Sequence, residues 1–111
     1  MPKFLLPAIA FAGACCFAGV AQAQCGSVTV AEMNWGSAGI AAHIDKIILE
    51  EGYGCTVSLV PGDTLPTFNS MNDKGEPDLA PEFWVNTDRV ALDQAVSGGR
   101  LIVAAEIVGS D

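Results

Sequence analysis

Apolar and polar positions change period several times along this chain. Residues 28–33, Val-Thr-Val-Ala-Glu-Met, are rich in β-branched and apolar types and predict a strand. Ile40, Ala41, Ile44, Ile47 and Ile48 then recur at helical spacing and form one apolar face, while His43, Asp45, Lys46 and Glu50 fall mainly on the other side. Ser37 is the expected N-cap of this helix, and Gly52 and Gly54 end it around Tyr53. Residues 56–60 alternate again and predict a second strand, closed by the turn Pro61-Gly62-Asp63. Asp63 or Thr64 caps a short helix with Pro66 near its start and Leu65, Phe68 and Met71 on one face. A polar turn over residues 72–77 follows.

Leu79-Ala80 starts a third strand. Pro81 lacks the N–H that a central ladder needs and ends it. Asn86 or Thr87 caps a helix through Val96, with Val90, Ala91 and Ala95 as apolar contacts and Gly98-Gly99 as its stop. Residues 101–108 are apolar enough for a fourth strand buried on both faces. The order β-α-β-α-β-α-β predicts an α/β fold: a mostly parallel sheet with right-handed crossovers and helices on both faces.

The first residues stand apart from this pattern. Lys3 gives a small positive region, Phe4 to Val20 is apolar, and Ala21-Gln22-Ala23 is an A-x-A cleavage site. Residues 1–23 therefore read as a signal peptide and residues 24–111 as one small exported domain. Small residues follow the apolar stretch in place of a stop-transfer signal, which favours cleavage over a membrane anchor. Cys15 after Ala12-Gly13-Ala14 is a weak lipoprotein match, because the usual large aliphatic residue is missing. Export leaves Cys25 and Cys55 as an even pair in an oxidising compartment. Each precedes a strand. If the strands are parallel neighbours, their starts lie side by side and a disulfide is expected, stabilising the fold by roughly 3–4 kcal/mol.

Charge and motifs then remove function classes. The formal net charge is −8, which argues against nucleic-acid binding and weakly favours cationic ligands. There is no Gly-rich phosphate loop. Ser37, Ser58, Ser70 and Ser97 lack a G-x-S-x-G context, and His43 is the single histidine. No catalytic set, cofactor or metal site is expected.

What remains is aromatic. Trp35 and Trp84, the only tryptophans, each follow a strand-like run. In an open α/β sheet ligands bind beyond the carboxyl ends of the strands, where two indole faces can hold an organic cation by cation–π attraction. Glu32 and Glu82 lie near the same crevice and can complement a positive charge. Asn34 organises the turn or touches the ligand.

Four stretches together carry a family resemblance: Glu32-Met33-Asn34-Trp35; Leu49-Glu50-Glu51-Gly52-Tyr53-Gly54; Pro61-Gly62-Asp63-Thr64; and Gly75-Glu76-Pro77-Asp78-Leu79-Ala80-Pro81-Glu82-Phe83-Trp84-Val85-Asn86. In this order and spacing the chain resembles the glycine-betaine substrate-binding proteins of ABC transporters over about residues 25 to 108. The resemblance implies two α/β lobes around a cleft, the type II periplasmic-binding architecture, of which this chain holds the first. It implies a periplasmic protein that delivers glycine betaine, choline, proline betaine or carnitine to a membrane permease. An aromatic cage holds the methylated nitrogen, and Trp35 and Trp84 stand at cage positions. Members of the family are longer, so the chain is expected to be a front part from which the second lobe is absent. Two other classes stay open: an exported sensor or interaction module on the same lobe, and an exported enzyme, for which Glu32 and Glu82 are the only candidate carboxylate pair.

Overall fold

The computed structural model describes residues 25–107. The signal-peptide reading of residues 1–23 lies outside them. Strand β1 (Ser27–Met33) leads into helix α1 (Gly36–Ile47), which ends in a π turn (Ile48–Gly52). Strand β2 (Thr56–Gly62), helix α2 (Thr64–Lys74), a 3-10 turn (Val85–Thr87) and helix α3 (Arg89–Ser97) follow.

β1 and β2 pair in parallel, with Val28 opposite Val57 and Val30 opposite Leu59. On the other side of β1 the chain returns at Leu79, which forms an isolated parallel bridge with Val30. Ala31 N–H donates to the Leu79 carbonyl at 2.8 Å, and Leu79 N–H donates to the Thr29 carbonyl at 3.1 Å. β1 is therefore central, which is why Val30 and Ala31, facing opposite sides, are both fully buried.

Each face of β1 carries a helix. Ala42 of α1 packs with Val30, Cys55 and Val57, and Val28, Leu49 and Leu59 close around them. On the opposite face Thr67 of α2 donates through its Oγ1 to the Met33 sulfur at 3.6 Å. Small residues on α1 let it sit close: Ala38 and Ala42 are both fully buried. A third cluster joins Phe68 of α2 to Leu92 and Ala95 of α3. Phe83 links it to the Ala31–Met33–Ala38 cluster, with its ring 6.1 Å from that of Phe68.

The expected disulfide is present: Cys25 and Cys55 are bridged, with Cα atoms 4.6 Å apart. It ties the N-terminal ends of β1 and β2, the geometry that parallel neighbours provide. Lys46 adds a second clamp. Its Nζ donates to Glu50 Oε1 at 2.7 Å and to the Val57 carbonyl at 2.8 Å, fastening α1 to β2. The Lys46 hydrogen bond is the main cause that holds the Glu50 carboxyl below its ordinary range.

Several local expectations change. β2 runs on through Pro61 and Gly62; it is an edge strand, where a missing N–H is tolerated. Ser37 does not cap α1. Because α1 begins at Gly36, Trp35 occupies the N-cap with no side-chain cap, and the Ser37 hydroxyl, inside the first turn, donates to Glu82. Asp63 caps α2 through a bond from Thr64 N–H at 2.7 Å. Asp88, not Asn86 or Thr87, caps α3, accepting from Ala91 N–H at 3.2 Å. The third strand shrinks to a bridge. Residues 101–106 form no strand, since no described backbone lies beside them to complete a ladder.

Candidate functional site

The candidate site starts at the carboxyl end of β1. The strand ends at Met33, buried like Val30 and Ala31 before it, and Asn34 and Trp35 are the first residues past it. The Trp35 backbone is extended, and its carbonyl accepts from Gly39 N–H at 3.1 Å, opening α1. Its ring packs half-buried against the Ala31–Met33–Ala38 cluster together with Ala80 and Phe83.

The return segment reaches the same place because of its anchoring to β1. Asp78 and Leu79 are hydrogen-bonded to Thr29, which carries residues 80–84 past the end of the strand. There Glu82 Oε1 accepts two hydrogen bonds, from Trp35 Nε1–H at 3.0 Å and from Ser37 Oγ–H at 2.8 Å. Glu82 has φ 54°, the described non-glycine residue in the left-handed region.

Trp35 borders an open groove of about 620 Å³. Glu32, Asn34, Ile40 and His43 contribute to its lining. His43 Nδ1 donates to the Gly39 carbonyl at 2.9 Å and lies 3.7 Å from Glu32 Oε1, with the His43 side chain exposed and that of Glu32 partly covered. Asn34 is exposed and also borders a second groove, of about 590 Å³, beside Gly62 and Asp63.

Four of the five expected site residues thus come together: Glu32, Asn34 and Trp35 on one groove, with Glu82 bonded to the Trp35 ring. Trp84 stands outside that lining. Its side chain is 53% exposed, two residues past Glu82 on the same segment. Ser37 was expected only as a helix cap and proves to share the Glu82 oxygen. No local signal marks that role, since the two residues lie 45 positions apart.

Among the described residues no group of histidine, cysteine and carboxylate side chains is placed to hold a metal ion, and no helix is long and apolar enough to cross a membrane. The arrangement sets the Trp35 indole beside the Glu32 carboxylate and apolar residues of the groove, with the Glu82 carboxylate bonded to the indole edge.

A comparison with known families gives a match. The model of the substrate binding domain of the ABC-type glycine betaine transport system fits residues 26–110. No curated protein matches the chain.

Proposed function

The chain belongs to the substrate-binding domains of ABC-type glycine betaine transport systems, and from that membership we propose that it binds glycine betaine or a related quaternary amine through an aromatic cage. The family is one of extracytoplasmic, non-enzymatic proteins that bind small molecules and deliver them to a membrane permease. On our reading Trp35 and Trp84 supply ring faces to the methylated nitrogen. Glu32, Asn34 and Glu82 complete the polar surroundings. The protein works in the periplasm, released by cleavage near Ala23, and feeds import of the amine.

The observation that carries this reading is the Trp35 indole, held at the carboxyl end of the central strand and bordering an open groove. A fixed ring face is what a soft cation needs, because cation–π attraction falls away when the cation leaves the face.

Magnitudes set what these residues achieve alone. Each ring contributes about 0.5–2 kcal/mol, so two give at most about 4 kcal/mol and roughly millimolar affinity. Micromolar binding requires about 8 kcal/mol. Closure of a second lobe, further rings and donors to the ligand carboxylate supply the remainder. The test is a titration of tryptophan emission with glycine betaine and with choline, in the protein carrying its second lobe. A saturable shift or quench is expected. If neither compound changes the emission, the cage reading fails.

A further inference from the structure

We propose that Glu82 is a positioning residue that locks the plane of the Trp35 indole, acting on a bound cation through that ring rather than by touching it. The proposal rests on the cage reading given above.

Three observations carry it. Both donors that reach Glu82, Trp35 Nε1–H and Ser37 Oγ–H, converge on the same oxygen, Oε1. They flank Gly36, the first residue of α1, so one carboxylate fixes the residue that caps the helix, its first turn and the ring between them. Next, the backbone of Glu82 pays for this reach with φ 54°, a conformation that L side chains adopt at a cost. Such an outlier persists only where its surroundings over-determine it. Ala80 and Phe83, on either side of Glu82, pack in the same cluster as Trp35 and hold the segment in place. Finally, a ring bound only by apolar packing could pivot about its side-chain torsions. A hydrogen bond at the indole edge removes that freedom without itself covering a ring face. An ionised acceptor makes the bond stronger than a neutral one.

The positive φ separates positioning from folding. Glycine adopts this conformation without strain. Glu82→Gly therefore removes the lock and relieves the backbone strain, which offsets part of the stability lost with the two hydrogen bonds. Glu82→Ala removes the same carboxylate and keeps the backbone strain. Glu82→Gln keeps an acceptor oxygen and discards the charge.

The indole N–H resonances report the lock directly in the ligand-free chain, with Trp84→Phe identifying Trp35. In the wild type the Trp35 proton is expected well downfield and slow to exchange. Glu82→Gly and Glu82→Ala bring it to the position of a water-exposed indole, and Glu82→Gln holds most of the shift. Affinity for glycine betaine should fall roughly tenfold in the first two variants and by less than about threefold in Glu82→Gln. A Trp35 resonance unmoved in folded Glu82→Gly overturns the proposal. Equal loss of affinity in Glu82→Gln and Glu82→Ala, with the resonance still held in Glu82→Gln, also overturns it, because the charge itself then meets the ligand. If the resonance responds as described but the wild type ignores both glycine betaine and choline, the lock stands and the quaternary-amine reading falls.

Discussion

Thr29 and Asp78 hold each other reciprocally. The Asp78 carboxylate accepts from Thr29 N–H at 2.7 Å and from Thr29 Oγ–H at 2.8 Å, while Thr29 Oγ1 accepts from Asp78 N–H at 3.0 Å. These bonds bring the return segment alongside β1, and with it Glu82 and Trp84. Those from Thr29 hold the Asp78 carboxyl below its ordinary value of 3.8.

The sign of the pH effect follows. A carboxyl whose folded pKa is depressed adds stability that is complete above the unfolded value and is lost as pH falls through the folded one. Asp78→Ala should cost about 1 kcal/mol at neutral pH, kept small by the pair's exposure to water. The gap in melting temperature between wild type and variant should close as pH drops below the ordinary carboxyl value of 3.8. Asp45 works in the opposite direction, since burial holds its carboxyl above the ordinary range, and its cost at neutral pH relaxes on acidification. Comparing the two proteins at each pH isolates Asp78.

Reduction of the Cys25–Cys55 bridge should lower stability by about 3–4 kcal/mol, given a sequence separation of 30 residues. For a domain this small that is a large share of the total. Chemical denaturation of wild type and of the double Cys→Ser variant, each with and without reductant, checks it. Reductant should shift only the wild type.

Gly62→Ala should destabilise by about 1–3 kcal/mol through overpacking. A Cβ there would lie 2.7 Å from Thr67 Oγ1 and 3.1 Å from the Met33 sulfur. Thr67 is buried, and its hydroxyl is engaged with both Met33 and Asp63 N–H, so it has no room to swing away. The denaturation midpoint of Gly62→Ala against wild type measures the cost.

The two tryptophans should separate stability from binding. Trp84 is largely exposed, so Trp84→Ala should move stability by less than about 0.5 kcal/mol while weakening quaternary-amine binding about threefold to thirtyfold. Trp35 packs on the Ala31–Met33–Ala38 cluster, and Trp35→Ala should cost roughly 2–4 kcal/mol of stability as well as binding. Thermal melts paired with fluorescence or calorimetric titrations distinguish the two.

Most elements of the lobe were legible because their causes are short-range. The isoleucine and alanine spacing marked α1, β-branched alternation marked β1 and β2, and Asp63 beside Thr64 marked the start of α2. The Cys25–Cys55 bridge followed from two cysteines placed just before neighbouring strands. The pattern also misled where a strand needs a partner. Residues 101–108 have the composition of a buried strand, yet residues 101–106 form none, because composition supplies side chains and not the neighbouring backbone that completes a ladder.

Alone, then, the sequence determined an α/β order of elements, its helices, two of its strands and its aromatic candidates. All of these depend on residues within a turn or two of one another. Tertiary structure alone decided that Ser37 serves Glu82 in place of its own helix, that Asp78 docks on Thr29, and that a carboxylate 47 positions away grips the Trp35 ring. Those bonds join residues distant in the chain, and only packing on the central strand brings them within reach.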